Sequence, residues 1–389
     1  MRTRGLELER ALGVLRQNVG CDPARHAFPG AVVAVGHRGG AIRCEAMGTI
    51  SGEPCSPQMT TSAIFDVASL TKVVVTTTAV LLLLQQGELS LRDPLDSLFP
   101  ELASAPVGKA TIAHLLTHTS GLPWIPFYAL GNGWEEWTEA IAETPLVAEP
   151  GTRVDYSCTG FILLGRIIEI VAGTPLALFA RDRIFGPLSL ADSGYLPFTE
   201  PIPDGVSERL VMTERRESDS RGRMLEAAVR IQGTWLNEWS KRHPGGIARG
   251  AVDDENAAYM GGVAGNAGLF TTSRDLVCFG LMLLNRGRYD GGEFLSKSAI
   301  DVAVSNATAG LNDRRGLGWA LSGSMSFCCD LASPDAYGHT GFTGAALLID
   351  PRLDLVVAIL TNRLQFGRQN ERGLRVRRLF LNAVVGGSA

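Results

Sequence analysis

Strand-like patterns occur near both ends of this sequence, and helix-like patterns fill most of the stretch between them. Residues 29–49 have the pattern of a β-hairpin, with a β-branched first strand and a glycine-rich turn. At the other end, residues 344–350 and 355–362 are apolar and flank a short turn that begins with proline. Residues 91–185 have helical spacing that is interrupted by prolines. We therefore predict one sheet assembled from both ends of the chain, with a helical insertion between its halves.

The same patterns suggest a division into domains. We assign residues 1–65 and 262–389 to an α/β domain that contains the sheet, and residues 66–261 to a mainly helical region. An amphipathic helix is expected at the start of the chain and another over about 371–385. Residues 213–250 are dense in charge and predict an exposed excursion within the helical region.

Charge and composition exclude several classes of function. The formal net charge is −4 and no long basic run occurs, so nucleic acid is not an expected partner. The first residues lack an apolar signal core, and the longest apolar stretch, near 73–84, is too short to span a bilayer. The seven cysteines are odd in number and form no CxxC pair, which argues against a disulfide framework or a zinc site. We expect a cytoplasmic protein, monomeric or homodimeric, that has no membrane partner and acts on a small molecule.

The segment Ser69-Leu70-Thr71-Lys72 could build a nucleophile with its base attached. Residues three apart share one face of a helix, so the Lys72 amine can reach the Ser69 hydroxyl. Only four of the 36 basic residues are lysines, and Lys72 enters an apolar helix predicted over 70–86. Burial of the amine would lower its pKa from about 10.4 and let it activate the serine. A lone Ser-x-x-Lys match is still weak evidence, because chance supplies such a match often.

Two other segments carry candidate site residues. Tyr156 lies on a short turn before an apolar helix that begins near Phe161, and this position alone favours a half-buried packing residue. The segment Gly338-His339-Thr340-Gly341-Phe342-Thr343-Gly344 precedes a buried strand, where small residues would let a substrate approach the sheet edge. A plain tight turn explains that segment about as well. Neither of these two patterns taken alone identifies a site.

A pair of histidines, His114 and His118, has the i, i+4 spacing of a zinc site. The metalloprotease pattern requires glutamate directly after the first histidine, and this chain has Leu115 there. We therefore expect a structural role at a helix end and no bound metal.

These segments together resemble the serine β-lactamase and penicillin-binding-protein-like superfamily. The match is closest to its branch of class C β-lactamases, DD-peptidases and family VIII esterases. It rests on motifs that occur in the family's order over most of the chain: Phe65–Lys72, His114–Pro123, Pro150–Cys158, Gly262–Thr271, Gly316–Trp319 and Gly338–Gly344. The resemblance implies an antiparallel sheet flanked by helices, an α/β/α sandwich, plus a helical domain, with the active site at their interface.

The resemblance also implies roles for individual residues. Ser69 would be the acylated nucleophile, and Lys72 and Tyr156 would share the proton transfers. His339, Thr340 and Gly341 match the third motif, which binds substrate. The backbone N–H groups of Ser69 and Phe342 would form the oxyanion hole. No metal or organic cofactor is implied.

Two positions depart from the family pattern. His339 replaces the lysine of the third motif, a variant familiar among peptidases and esterases of this branch. Cys158 replaces the asparagine that holds the substrate's amide side chain in β-lactamases, and a thiol is a poor hydrogen-bonding substitute. We therefore expect an esterase or amidase rather than a true β-lactamase. An acyltransferase that uses the same acyl-enzyme, and a catalytically weak binding protein on this fold, remain alternatives.

Overall fold

A computed structural model describes residues 2–130, 133–215, 241–242, 247–290 and 292–388. Its largest element is an antiparallel sheet of six strands. In sheet order the strands are β10 (Ala320–Leu321), β11 (Tyr337–Thr340), β12 (Ala346–Asp350), β13 (Leu355–Thr361), β1 (Gly30–His37) and β2 (Arg43–Gly48). Strand β1 pairs with β13 through seven residues, so the two ends of the chain meet in the middle of the sheet. The predicted sheet from both termini is confirmed, as is the hairpin at residues 29–49.

Helices cover both faces of this sheet. On one face, helix α1 (Arg2–Arg16) and the last helix, α11 (Glu371–Gly386), pack on alternate residues of β1 such as Val33. On the other face, helix α9 (Ser273–Leu284) packs on the intervening residues, among them Val32. Both faces of the central strands are therefore buried, which explains their continuous apolar sequence. The predicted α/β/α sandwich is confirmed.

The region between β2 and α9 is mostly helical. Its helices are α2 (Lys72–Gln86), α3 (Leu95–Leu98), α4 (Ile112–Leu116), α5 (Trp134–Glu143), α6 (Cys158–Ala172), α7 (Leu176–Ala180) and α8 (Glu255–Tyr259); α10 (Lys297–Ala303) follows α9. Short single turns occur at Pro100–Leu102, Pro106–Lys109, Phe127–Ala129, Arg181–Phe185, Ser207–Arg209 and Arg363–Phe366. The apolar core of this region is continuous with that of the α9 face of the sheet.

Three small sheets complete the described part. Strand β7 (Leu269–Thr271) lies between β3 (Phe65–Asp66) and β4 (Gly194–Tyr195); β5 (Met212–Arg215) pairs with β6 (Ile247–Arg249), and β8 (Arg288–Tyr289) with β9 (Gly292–Glu293). Strands β5 and β6 are the two ends of the predicted excursion at 213–250, most of which lies outside the described residues. The domain boundaries assigned from the sequence stay a prediction.

No single helix of the described ranges is long and apolar enough to cross a membrane. Two consecutive helical segments, Cys158–Ala172 and Leu176–Phe185, reach the required length and composition only together, and they are bent by 79° at their junction.

Candidate active site

The structure brings Ser69 and Lys72 into direct contact. Ser69 lies in the turn between β3 and α2, and Lys72 is the first residue of α2. The Lys72 Nζ donates a hydrogen bond to Ser69 Oγ at 2.9 Å. The lysine side chain is 0% exposed. Helical spacing over three residues therefore produces the serine–lysine pair that the sequence predicts.

Lys72 has an acceptor for each of its three N–H donors. Besides Ser69, its Nζ donates to the backbone carbonyl of Asn266 at 3.0 Å and to Cys158 Sγ at 3.4 Å. A fully bonded ammonium is the form that this arrangement favours. Burial by itself lowers the pKa of Lys72, but attraction to the anionic forms of Cys158 and Tyr156 raises it above the ordinary value of a lysine. The lowered pKa expected from the apolar surroundings is wrong, because these neighbours outweigh the desolvation.

Tyr156 lies beside this pair at the entrance to α6. Ser157 caps the helix by accepting the backbone N–H of Gly160 at 3.2 Å, which fixes the chain direction at the preceding tyrosine. The Tyr156 ring centroid is 5.1 Å from Lys72 Nζ, and the side chain is 42% exposed. Tyr156 is thus in contact with both the buried amine and solvent.

The histidine pair has two separate structural roles. His114 completes the N-terminal cap of α4 by accepting the backbone N–H of Thr111 at 3.2 Å. The His118 ring is buried 4.4 Å from the Tyr156 ring, and its Nδ1 accepts the backbone N–H of Ser157 at 3.1 Å. Burial, with the nearby charges of Arg315 and Lys72, holds the pKa of His118 well below its usual range. His118 is therefore a neutral support for Tyr156, and the described residues contain no group of three His, Cys, Asp or Glu that could hold a metal ion.

His339, Thr340 and Gly341 form the end of β11 and the turn that follows it. The His339 ring is 6.2 Å from the Tyr156 ring, and its Nδ1–H donates to the Thr340 carbonyl at 2.8 Å. Burial and the positive charges of Lys72 and Arg315 lower the pKa of His339 to about 3. The histidine is neutral at physiological pH, so it does not supply the charge of the lysine that it replaces.

The two predicted oxyanion donors are close neighbours of this turn. A Cβ placed on Gly341 would lie 2.3 Å from the Val67 carbonyl, so only glycine allows the turn to pack on the segment that precedes Ser69. Within the described residues, neither the Ser69 N–H nor the Phe342 N–H donates a hydrogen bond. Both donors are thus free to bind an oxygen of a substrate.

Cys158 occupies the first position of α6, and its thiol faces Lys72 rather than a free space. Burial raises the pKa of this thiol in spite of the nearby Lys72 charge. Asn266 supplies the backbone carbonyl that accepts the third N–H of Lys72.

A cavity of about 450 Å³ opens above these groups. It is lined by Ser69, Tyr156, Arg315, Ala320, Ser326, His339, Thr340, Gly341, Phe342, Arg363, Arg368, Gln369, Glu371, Leu374 and Arg377. The cavity contains all the predicted site residues except Lys72 and Cys158, which lie beneath Ser69. Its abundance of arginine is the feature that the sequence analysis missed.

Arg315 is the most informative of these arginines. It is 3% exposed, and its Nε donates to Asp313 Oδ2 at 2.9 Å. Asp313 also accepts hydrogen bonds from Ser324 Oγ and the Met325 N–H, each at 3.0 Å, so the carboxylate is held in place. Within the described part of the chain, the Arg315 Nη1 is buried and has no acceptor. Its position directly before Gly316–Trp319, a segment used for the family resemblance, was the only signal in the sequence.

Comparisons with known proteins identify related chains. The model of the family described as "Beta-lactamase" matches residues 15–381. The "Putative D-alanyl-D-alanine carboxypeptidase" of Escherichia coli (strain K12) is 32% identical over 322 residues, which are 78% of this chain and 70% of that protein. The "N-acetylmuramyl-L-alanine amidase" of Bacillus subtilis (strain 168) is 30% identical over 360 residues, which are 86% of this chain and 77% of that protein.

Among solved structures, a penicillin-binding protein homolog from Caulobacter crescentus superimposes with a TM-score of 0.69. It is 19% identical, and the match covers 96% of each chain. At that identity the likeness shows a common fold.

Proposed function

This chain belongs to the Beta-lactamase family, and from that membership we propose that it is a serine hydrolase that forms an acyl-enzyme on Ser69. The observation that carries the proposal is the contact of Lys72 Nζ with Ser69 Oγ at 2.9 Å, beside Tyr156 and below an open cavity. The substrate is an amide or an ester.

The geometry supports different roles for Lys72 and Tyr156 in the reaction. All three N–H groups of Lys72 already have acceptors, so the ammonium has no free lone pair for the Ser69 proton. The Tyr156 phenolate, stabilised by the neighbouring Lys72 charge, accepts that proton as Ser69 attacks the carbonyl and becomes a neutral phenol. Tyr156 then returns the proton to the leaving group. In the second half of the reaction Tyr156 takes a proton from the water that attacks the acyl-enzyme and passes it to Ser69 Oγ as the acyl group leaves. The N–H groups of Ser69 and Phe342 stabilise the negative oxygen in each step.

Two observations favour an acyclic amide over a β-lactam. The thiol at Cys158 contacts Lys72, so it offers a substrate amide no strong donor or acceptor. The two relatives are named for a carboxypeptidase and an amidase, and both names describe cleavage of an amide bond to alanine.

Arg315 further limits the class of substrate that fits the site. The Arg315 guanidinium lines the cavity and carries a positive charge, so a substrate carboxylate could bind it through charge-assisted hydrogen bonds. The Arg315 guanidinium carbon lies 5.8 Å from the centroid of the Tyr156 ring, close to the residue that would return the proton to the leaving group. The leaving group is therefore an amino acid with a free carboxylate.

The test measures the rate at which the purified protein turns over four substrates: an N-acyl-D-alanyl-D-alanine peptide, N-acetylmuramyl-L-alanine, a p-nitrophenyl ester and nitrocefin. We expect release of alanine and of p-nitrophenol, both abolished in Ser69→Ala, with nitrocefin turned over far more slowly. Turnover of nitrocefin as fast as that of the ester would overturn the ranking. Turnover retained in Ser69→Ala would overturn the nucleophile. Added amine or alcohol acceptors distinguish hydrolysis from acyl transfer by their products.

A further inference from the structure

Asp66 connects three segments that meet at the active site. It is the last residue of β3 and is buried. Its Oδ1 accepts the backbone N–H of Ala68 at 2.8 Å, and its Oδ2 accepts the backbone N–H of Asp253 at 2.6 Å. Its own backbone carbonyl accepts the hydroxyl hydrogen of Thr343 at 2.8 Å. One buried residue thus contacts the turn before Ser69, the segment before α8 and the loop that contains Phe342.

The turn before Ser69 needs this support. Ala68 has a φ of +46°, a left-handed conformation that a residue with a Cβ rarely adopts. Its backbone N–H is held by the Asp66 carboxylate, and Ser69 is the next residue. The direction of the Ser69 N–H therefore depends on a strained turn that Asp66 stabilises.

The loop that contains Phe342 is held from two sides. On one side the Thr343 hydroxyl is bonded to Asp66. On the other side the Phe342 carbonyl accepts the Nε–H of Arg363 at 2.9 Å. The guanidinium groups of Arg363 and Arg368 lie over the Phe342 ring, at 5.0 and 5.5 Å from its centroid.

Arg368 connects the loop that contains Phe342 back to Asp66 through Asp253. It forms ion pairs with Glu214 at 2.7 Å and with Glu255 at 2.9 Å, and its Nη2 is 3.6 Å from the Asp253 carboxylate. Asp253 is the residue whose N–H binds Asp66. A closed path of contacts therefore exists, which we call the oxyanion clamp: Asp66, Asp253, Arg368, Phe342 and Thr343.

We propose that Asp66 is a positioning residue that, through this clamp, holds the Ser69 and Phe342 N–H groups at the separation required to bind an oxyanion. The inference rests on the proposed acyl-enzyme function, because a hole for an oxyanion has no use without that chemistry. Asp66 itself does not touch the substrate. It acts by fixing the two backbone donors before the reaction begins, so that no reorganisation is needed as charge develops.

Three substitutions at two residues, neither of which contacts the substrate, test the clamp. Thr343→Val removes the hydroxyl that binds Asp66 and keeps the shape of the side chain, and Thr343→Ser restores the hydroxyl. Asp66→Asn replaces one of the two acceptor oxygens with an NH2 group, which then faces the backbone N–H of Ala68 or of Asp253 and cannot accept it. We expect Thr343→Val and Asp66→Asn to lower kcat about 10- to 100-fold while KM changes less than threefold, since small displacements of catalytic groups can cost about 100-fold. Thr343→Ser should recover most of the rate.

A boronic acid inhibitor gives a readout that a loss of folded protein would not change. Its oxygen occupies the oxyanion hole, so its Ki should rise in proportion to the fall in kcat/KM across the three variants. Active-site titration with a fluorophosphonate corrects for the folded fraction. The inference fails if the wild type is active and titratable while Thr343→Val keeps both its kcat and its boronate affinity. If Asp66→Asn does not fold, the Thr343 pair decides the question. A wild type that is neither active nor titratable would instead refute the proposed function.

Discussion

Replacement of Arg315 by glutamine tests the assignment of the substrate carboxylate. A charge-assisted hydrogen bond is worth about 1.5–3 kcal/mol, and each 1.4 kcal/mol changes a rate or binding constant tenfold. Arg315→Gln should therefore lower kcat/KM for N-acyl-D-alanyl-D-alanine roughly 10- to 150-fold. The same peptide with a C-terminal carboxamide lacks the negative charge and should lose less than threefold.

The structure also predicts a cost in stability for this variant. The buried Asp313 carboxylate would lose its cation, and removal of one partner of a buried ion pair typically costs about 3–5 kcal/mol. The ratio of the two kcat/KM values is unaffected by this cost, because both substrates are measured on the same folded enzyme. Arg314→Gln removes the neighbouring exposed arginine and is the matched control. An equal loss for the carboxylate and the carboxamide substrates would refute the role assigned to Arg315.

Three further predictions concern titration, specificity and packing. Burial, with the nearby Asp253 charge, raises the pKa of Asp66 to about 7, so the folded protein keeps a proton that the unfolded chain releases above about pH 4. This lowers the stability of the wild type as the pH rises toward 7. The free energy of unfolding of Asp66→Asn in urea, taken relative to the wild type, should therefore rise by about 3 kcal/mol from pH 5 to pH 8, in addition to a loss at every pH from the NH2 group that faces a backbone N–H. The control Asp204→Asn, at an exposed position, should gain nothing, and an Asp66→Asn difference independent of pH would contradict the prediction. Cys158→Asn replaces the thiol with an amide and should raise nitrocefin turnover at least tenfold relative to ester turnover. If the wild type hydrolyses neither substrate and only this variant is active, the natural protein is a binding protein. Gly318→Ala should destabilise the protein by about 3 kcal/mol, because its φ is +77° and the new Cβ would lie 2.2 Å from a threonine hydroxyl of α2. Gly87 has a similar φ of +74°, but a Cβ there would meet no atom of the described residues within 4 Å. Gly87→Ala should therefore cost only the backbone strain of about 1 kcal/mol. Equal costs for the two glycine variants would contradict the packing argument.

The sequence predicted the parts of the fold that depend on local pattern. The hairpin at 29–49 and the strands at 344–350 and 355–362 have β-branched, apolar residues bounded by glycine or proline, and these features determine strand structure within a few residues. The Ser69–Lys72 contact follows from helical spacing alone. Tyr156 and His339 are separated from Ser69 by many residues, and only the resemblance to a family brought them to the same site.

The protonation of the site could not be predicted in this way. The pKa of Lys72 depends on Cys158 and Tyr156, which lie at the start of α6 and in the turn before it, and the sequence does not show that both approach one amine. Burial was inferred correctly, but burial is only one of the opposing effects. Arg315 was missed for a similar reason, since an arginine two residues after an aspartate is more often an exposed ion pair. Only the tertiary structure shows that its Nη1 is buried and has no acceptor among the residues that the structure describes.

Covalent labelling of Ser69 is the most direct test of the acyl-enzyme account. A fluorophosphonate probe should add its mass once per chain, and peptide mapping should place the adduct on Ser69. The adduct should be absent in Ser69→Ala and should form at least tenfold more slowly in Tyr156→Phe, which cannot accept the serine proton. Failure to label Ser69 under conditions that label a control esterase, or a label that persists in Ser69→Ala, would contradict the account.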